Sequence, residues 1–423
     1  MAVAVAVRRR TALAVAVPVV VAVVVGLYLA FLSPLHVWHG AFDLKVYRGA
    51  VLWWLHHRPL YTFHRNATKY GFTYPPFAAL VMLPWATVTQ TTAVVLNEVV
   101  SGLVLVGTTW WLVSPIAARH GRGPWSSVAV AVPLVYLMEP VRETLAYGQV
   151  NLYLVALVLV DVAALARGRR FAGVGIGLAT AIKLTPGLFI VYLLLTGRRR
   201  ATAVALGTFA GASLLALACD PGTSVQFWTR TLFETSRVGR VDSADNQSML
   251  GLVSRLFGTG ATGTVLWLVA AVTVLVVGMT RARSAWRRGD ELTGLTLAGL
   301  TSCLVSPISW THHLYWIVPA VLVLIDVAAG TELHPSAWPR VTAIRGWAAA
   351  GAVAVAAVFG FSLVWLAAKW NGAIPGRGPA VVLLTNSYVL VLLALVVWLP
   401  ARRCSPPAGD VVASPAGDLD RPG

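Results

Sequence analysis

The chain has 423 residues, of which 57% are hydrophobic and 12% are charged, about half the charged share of a soluble domain. This composition excludes a soluble enzyme, and three cysteines are too few for a secreted disulfide scaffold. The net charge of +17 reflects 33 basic and 16 acidic residues. Because the apolar residues occur in repeated stretches of about 20, long enough to cross a bilayer, the sequence predicts a polytopic all-α membrane protein.

The basic residues separate the apolar stretches along the whole chain. Short loops rich in Lys and Arg stay cytoplasmic, so the plasma membrane is the predicted location and both termini are predicted to lie inside. We interpret the basic surplus as a topology signal and as contacts to anionic lipids, so no nucleic-acid partner is expected. The clusters fall at residues 8–10, 119–122, 167–170, 198–200, 281–288, 340–345 and 402–403.

The first apolar run, residues 13–32, follows three arginines and is too long for a signal peptide, so it is predicted to be an uncleaved span. The outer segment that follows, 33–75, has the pattern of amphipathic helices lying on the membrane surface. Residues 76–113 form two apolar pieces, interpreted as one crossing plus a short piece because this keeps Arg119 inside. About 12 crossings are predicted in total.

Residues 171–196 carry arginine clusters at both ends, so this segment is predicted to start and finish inside. It must then consist of two half-length helices that meet at Lys183-Leu184-Thr185-Pro186. Broken helices at membrane depth are tolerated only where they line a cavity or are buried in protein, so the break predicts a cavity. Residues 1–400 are predicted to form one domain, and 401–423 a disordered cytoplasmic tail.

Ionisable and amide side chains cluster in the outer segments. Asp43 is the only carboxylate within 33–75, where it is either a salt-bridge partner or a catalytic base. Lys183 could extend to the interface, pair with a carboxylate or bind a lipid phosphate. Gln149 and Asn151 open a span, and Asn151 alone could be a helix cap.

Other polar residues are assigned less chemistry. Adjacent histidines, His312 and His313, point in different directions on a helix, so a shared metal ion is not expected and one of them is predicted to face the cavity. Asp161 and Asp326, near the inner ends of their spans, are predicted to be structural. The chain has no Gly-rich phosphate loop, zinc-spaced Cys/His set or Asp-x-Asp pair, which disfavours ATP and nucleotide-sugar donors.

Six segments in order, all on the predicted outer face, resemble the actinobacterial polyprenyl-phosphate-mannose-dependent α-(1→2)-mannosyltransferases of the GT-C superfold. These enzymes elaborate phosphatidylinositol mannosides and lipomannan. The segments are Asp43-Leu44-x-Val46-Tyr47-Arg48, Tyr74-Pro75-Pro76-Phe77, Gly148-Gln149-Val150-Asn151, Lys183-Leu184-Thr185-Pro186, Asp245-Asn246-Gln247-Ser248 and Ser306-Pro307-Ile308-Ser309-Trp310-x-His312-His313.

The resemblance implies a GT-C fold, a polyprenyl-phosphate-mannose donor, a lipid-anchored mannoside acceptor and inversion at the anomeric carbon on the outer face. It implies that Asp43 is the general base, and one base suffices because phosphate is already a good leaving group. A divalent metal requirement stays open. Predicted donor-phosphate ligands are Lys183, His312, His313 and Arg142, and predicted sugar or acceptor contacts are Arg48, Tyr74, Gln149, Asn151, Asn246, Gln247 and Trp310.

Three alternatives remain at this point. The sugar could be arabinofuranose, because related arabinofuranosyltransferases share the architecture. The chain could instead be a lipid-linked sugar flippase or transporter, which would predict an inverted internal repeat and a charge network at the midplane. No repeat is visible, and the polar residues cluster on one side. A non-catalytic scaffold is the third alternative, and it predicts that replacing Asp43 has no effect.

Overall fold

The computed structural model describes residues 39–65, 70–234, 237–333, 341–370 and 378–403. Over these ranges the chain folds into α-helices and short 3-10 turns without a β-strand, which confirms the predicted all-α class. The predicted first span at 13–32 and most of the predicted tail at 401–423 lie outside the described residues.

Nineteen α-helices occur in the described part of the chain. In most of them the residue that follows the last helical position is a glycine or a polar residue. The helices are α1 Phe42–Leu55, α2 Pro76–Val81, α3 Leu83–Ala86, α4 Gln90–Arg119, α5 Pro124–Leu137, α6 Glu139–Tyr147, α7 Asn151–Ala166, α8 Val174–Ile182, α9 Gly187–Leu195, α10 Arg199–Cys219, α11 Pro221–Thr229, α12 Met249–Phe257, α13 Ala261–Arg287, α14 Glu291–Val305, α15 Ile317–Ala328, α16 Val341–Gly360, α17 Leu363–Trp370, α18 Pro379–Thr385 and α19 Ser387–Trp398.

Three of the described helices, α4, α10 and α13, are long and apolar enough to cross a membrane, and two bent pairs, α5 with α6 and α18 with α19, raise the number to five. Four further apolar helices have only 10–17 residues. The predicted count of about 12 crossings is therefore not confirmed, because many apolar stretches fold into helices shorter than a full span. The short piece followed by one long helix, predicted within 76–113, is observed as α2 and α3 before α4.

The predicted break between two half-length helices is present. Helix α8 ends at Ile182, Lys183 has an extended backbone with φ −148° and ψ 128°, and α9 begins at Gly187. Pro186 stands immediately before α9, where its missing N–H costs no intrahelical hydrogen bond. The break turns a charged side chain away from both helix axes into the molecule.

Polar side chains are concentrated at two sites, one at each end of the helices. At one end the predicted outer segments converge around a large cavity. At the other, Asp290, Asp326 and Arg402 form a buried ion cluster joined by Arg119. Between them, one apolar cluster joins α4, α7, α9, α14, α15 and α19, so the two polar sites are separated by a packed core.

The two aspartates predicted to be structural are built into helix ends. The carboxylate of Asp161 accepts a hydrogen bond of 2.7 Å from the Ile176 N–H, in the first turn of α8. This satisfies a donor that a helix N-terminus leaves free. Asp326 is buried in the ion cluster near the C-terminus of α15.

Candidate active site

The cavity has a volume of about 830 Å³, large enough for a lipid-linked sugar and part of its acceptor. Segments far apart in the sequence line it. Its polar and aromatic lining residues include His39, Asp43, Tyr74, Tyr147, Gln149, Lys183, Arg237, Asp245, Trp310, His312, His313 and Trp365.

Asp43 lies in the first turn of α1, which is anchored to α6. The Ala41 N–H donates a 3.0 Å hydrogen bond to the Ala146 carbonyl. Gly148, with φ +67°, comes so close to α1 that an added Cβ would lie 2.8 Å from the Cβ of Leu44. Only a residue without a side chain fits there, so this glycine allows α1 to pack closely against the end of α6 and thereby helps to position Asp43 at the cavity.

Gln149 fixes the orientation of the Asp43 carboxylate. Its Nε2 donates to Asp43 Oδ2, while its Oε1 accepts a 3.1 Å hydrogen bond from the Tyr74 hydroxyl. Tyr47 lies 2.9 Å from Tyr74, hydroxyl to hydroxyl, and extends the chain. In the described residues no other side chain donates to the Asp43 carboxylate, so Oδ1 is open to an incoming group.

Burial changes the acidity of Asp43. Desolvation raises the pKa of its carboxyl to about 6, although the Gln149 hydrogen bond and the charges of Lys183, His39 and Arg65 oppose that shift. A carboxylate with a pKa near neutrality is a better proton acceptor than one with a pKa near 4. A perturbed acid facing a cavity is the pattern expected of a catalytic group.

Lys183 enters the cavity from the break between α8 and α9. Its Nζ donates a 2.9 Å hydrogen bond to Asn151 Oδ1 and lies 5.5 Å from the centre of the Tyr74 ring. Asn151 Nδ2 in turn donates 2.9 Å to the carbonyl of His312, so the amide connects the two cavity walls. The structure thus gives Asn151 a bridging role instead of a helix cap, since no side chain caps α7.

His312 presents an unused ring nitrogen. Its Nε2 is buried and has no hydrogen-bond partner among the described residues, while the ring itself is only 7% exposed. Burial first, and then the nearby Lys183 and His39 charges, hold its pKa well below the ordinary value, so the ring is neutral. Buried polar groups are normally hydrogen-bonded, so this nitrogen is available to a group that enters the cavity.

His313 is oriented by the backbone. The Trp310 N–H donates a 3.3 Å hydrogen bond to His313 Nδ1, which places the proton of the neutral ring on Nε2. The two imidazoles pack edge to face with ring centres 4.7 Å apart. Lys183, His312 and His313 therefore give one amine and two neutral rings on one side of the cavity, and Asp43 gives the carboxyl group.

The model of glycosyltransferase family 87 matches residues 72–307, more than half of the chain. The chain belongs to glycosyltransferase family 87. The family 87 match includes the segments of Tyr74, Gln149, Lys183 and Asn246, which confirms the resemblance found in the sequence.

Relatives with assigned activities agree with this membership. The family 87 chain is 34% identical to the polyprenol-phosphate-mannose-dependent alpha-(1-2)-phosphatidylinositol mannoside mannosyltransferase of Mycobacterium tuberculosis, over 67% of this chain and 69% of the relative. It is also 34% identical to the polyprenol-phosphate-mannose-dependent alpha-(1-2)-phosphatidylinositol pentamannoside mannosyltransferase of Mycobacterium tuberculosis, over 60% and 58% of the two chains. Among solved structures it is similar to ArnT from Cupriavidus metallidurans bound to undecaprenyl phosphate, with a TM-score of 0.37 and 18% identity over 92% and 77%.

Two arginines predicted to contact substrate lie outside the cavity lining of this family 87 enzyme. Arg48 donates to the backbone carbonyls of Trp85 and Val88, at 3.0 and 2.6 Å, and so holds the end of α3. Arg142 is buried and donates 2.8 Å to the Leu137 carbonyl. Both guanidiniums bond to carbonyls left free at helix ends and neither lines the cavity, so their predicted ligand roles stay predictions.

Two amides predicted to bind sugar are likewise used by the backbone. Asn246 is fully buried, and its side chain bonds to the Val241 and Pro307 carbonyls and to the Ser309 N–H. Gln247 is also fully buried and holds the Thr385 carbonyl at 2.8 Å. These amides fix the loop that carries Trp310 and do not line the cavity, so their predicted sugar contacts stay predictions.

Several lining residues were not predicted from the sequence. His39 stacks on Tyr147 with ring centres 3.9 Å apart and makes a 2.8 Å contact with Glu143. Arg237 bonds to the carbonyl of Tyr61 across the cavity rim. His39 and Arg237 belong to no motif used in the prediction, and no local pattern distinguishes them from other polar loop residues. Within the described ranges, no three His, Cys, Asp or Glu side chains group as a metal site would require.

Proposed function

We propose that this chain transfers mannose from polyprenyl-phosphate-mannose to a lipid-anchored mannoside, a phosphatidylinositol mannoside or lipomannan, and forms an α-(1→2) linkage with inversion. The family membership and the activities named for its relatives support the donor and the acceptor class. The observation that carries the mechanism is the carboxylate of Asp43, which has one side-chain donor on Oδ2 and shares one cavity with Lys183 and His312.

The proposed step is one displacement at the anomeric carbon of mannose. Asp43 Oδ1 takes the proton from the acceptor hydroxyl while that oxygen forms a bond to the carbon. The bond from the carbon to the phosphate oxygen breaks on the opposite face, and its electron pair leaves with polyprenyl phosphate. One carboxylate then accepts the only proton that moves, and inversion follows from attack opposite the leaving group.

The leaving phosphate requires positive charge and hydrogen-bond donors, because negative charge grows on it as the bond breaks. The Lys183 ammonium has N–H donors beyond the one used by Asn151. The unpartnered Nε2 of His312 can carry its proton towards the same group. A neutral imidazole donates one hydrogen bond without a second buried charge, which suits a site that already contains Lys183.

We also propose a GT-C architecture with the cavity on the outer face and both termini in the cytoplasm. The basic clusters at 119–122, 198–200, 281–288 and 402–403 group around the end opposite the cavity, as the positive-inside rule would place them. A donor made of a sugar on a long lipid then enters from the bilayer, and the acceptor reaches the cavity from the outer surface.

The test is transfer by the purified full-length protein in detergent, with phosphatidylinositol mannoside as acceptor and either polyprenyl-phosphate mannose or polyprenyl-phosphate arabinose as donor. Mass spectrometry should show one added hexose with the mannose donor, and methylation analysis should place it at the 2-position. Turnover with the arabinose donor alone would assign the other sugar. Sugar-lipid movement across vesicles without any glycosidic product would identify a flippase and overturn the proposal.

A further inference from the structure

Trp365 is an aromatic side chain of the cavity that no motif predicted. It stands on α17 near the cavity, with 36% of its surface exposed, and it is among the residues that line the cavity. Its indole Nε1–H donates a 2.7 Å hydrogen bond to Glu139 Oε1. The N–H edge is thus held by the protein, and the exposed part of the side chain is available to a ligand in the cavity.

The carboxylate that holds Trp365 is fully buried and has a second partner. Glu139 begins α6, and its other oxygen accepts from the hydroxyl of Tyr388, which is also fully buried. The catalytic step proposed above does not use Glu139. A buried carboxylate is costly unless its oxygens are bonded, so Tyr388 and Trp365 both stabilise Glu139 in this position.

The backbone that leads into α17 has an unusual conformation at Ser362. Ser362 adopts φ +52°, a left-handed conformation that a residue with a side chain rarely takes. Its Oγ accepts a 2.9 Å hydrogen bond from Arg142, and its carbonyl accepts from the Trp365 N–H. Such strained residues persist only where surrounding contacts determine them, and they cluster at binding sites. Arg142, predicted to bind phosphate, thus acts on the turn that carries the tryptophan.

Helix α6 carries the points to which Trp365 and the helix of the base are attached. Trp365 is attached at Glu139, the His312 carbonyl is held by Thr144, and α1 with Asp43 is attached at Ala146. At 1.5 Å per residue, the attachment points of the tryptophan and the base lie about 10 Å apart along the helix. The tryptophan and the base are therefore held by different turns of α6.

We propose that Trp365 is a stacking platform for a non-reacting sugar ring of the acceptor, with Glu139 as its positioning residue. This proposal rests on the proposed mannosyl transfer. The donor has one sugar, which must lie at Asp43, whereas the acceptor carries further mannose rings beyond the attacked one. The apolar face of a pyranose packs on an indole in the manner of other pockets that combine aromatic walls with a few polar groups.

The experiment compares Trp365→Ala, Trp365→Phe and Glu139→Gln in the full-length protein with Trp347→Ala, a control whose ring is 78% exposed on α16. Both KM values are measured, and binding of the water-soluble mannoside headgroup, without its acyl chains, is measured by equilibrium dialysis without donor. Trp365→Ala should raise the acceptor KM and Kd about tenfold, which is the loss of one aromatic contact of about 1.4 kcal/mol. Trp365→Phe, which keeps a ring, and Glu139→Gln should raise them about threefold.

The donor KM should stay unchanged in all four variants, and Trp347→Ala should leave both KM values at the wild-type level. A rise in donor KM would mean that the polyprenyl chain packs on Trp365, and equal effects of the alanine variants at 365 and 347 would mean a general packing defect; each result overturns the proposal. Dialysis separates this outcome from failure of the proposed function, because mannoside binding can depend on Trp365 even if the transferred sugar is not mannose.

Discussion

The molecule has two polar sites that contain the same residue types but differ in how completely their side chains are hydrogen-bonded. In the inner cluster, Arg402 donates 2.6 Å to Asp290 and 2.8 Å to Asp326, so the carboxylates are fully occupied by partners. In the cavity, Asp43 has a single side-chain donor in the described residues, and His312 Nε2 has none. A saturated network serves stability, whereas an incomplete one leaves room for a substrate to complete it.

The acidities of two aspartates express the same contrast. Burial alone would raise the pKa of Asp290, but the hydrogen bonds and charge of Arg402 hold it below the ordinary value. Burial raises the pKa of Asp43 to about 6 because its neighbours compensate only in part. A paired aspartate stays ionised and inert, and a half-paired one is ready to exchange a proton near neutral pH.

Asp43→Asn is expected to have the largest effect on activity with no loss of stability. Loss of the base should lower transfer by about 10²- to 10⁴-fold, as removal of a general base typically does. The thermal unfolding midpoint in detergent should not fall, since the substitution removes a carboxylate that burial already disfavours. The matched control is Asp245→Asn, another cavity aspartate, whose carboxylate is held by Ser243.

Undiminished transfer by Asp43→Asn would show that Asp43 is not the general base and would support a non-catalytic role for this residue. Equal loss in Asp43→Asn and Asp245→Asn, with the unfolding midpoint unchanged in both, would show that any cavity carboxylate matters and would erase the distinction drawn for Asp43.

The inner cluster should respond in the opposite manner to Arg402→Ala. This change leaves Asp290 without its guanidinium, and removal of one partner from a buried ion pair costs about 3–5 kcal/mol. The unfolding midpoint should drop by many degrees, while the KM values of the surviving folded protein stay at the wild-type level. Arg403→Ala is the matched control, because its contact with Glu332 is 3.7 Å long and exposed, and such pairs contribute little. An unchanged midpoint in Arg402→Ala would refute the structural role of the cluster.

Lys183→Met tests the phosphate side of the cavity. A hydrogen bond to a charged group contributes about 1.5–3 kcal/mol, so the donor KM should rise about 10- to 100-fold while the acceptor KM changes little. The matched control is Arg240→Ala, which removes a positive charge at the exposed rim of the same cavity. An unchanged donor KM in Lys183→Met, or an equal rise in both variants, would contradict a specific phosphate contact.

The sequence predicted the parts of the fold that depend on topology. Arginines at both ends of 171–196 allow only a return to the same side, and this constraint is enough to locate the break at Lys183, where α8 ends. The same reasoning placed Asp43, Gln149 and the histidine pair on one face, and the cavity brings them together.

The direction of individual side chains could not be predicted in the same way. A polar residue in an outer loop is equally compatible with a ligand contact and with a backbone hydrogen bond, and Arg48, Asn246 and Gln247 make the latter. The position of Trp365 depends on Glu139, 226 residues away in the chain, so no local pattern could indicate it. The number of spans was also not predictable, because an apolar run does not show where its helix is interrupted.

The smallest predicted effect concerns pH and sharpens the contrast between the two aspartates. Since Asp43 must be ionised to act as base, kcat/KM should fall as the pH drops below about 6, by about tenfold per pH unit. Gln149→Ala removes a hydrogen bond that favours the ionised form, so the pKa of Asp43 should rise and the acid limb should move to higher pH. Gln90→Ala, an exposed glutamine at the start of α4, should leave the limb in place. If the limb moves to lower pH in Gln149→Ala, or does not move at all, then the group that titrates is not the carboxylate of Asp43, and the proton must be accepted elsewhere in the cavity.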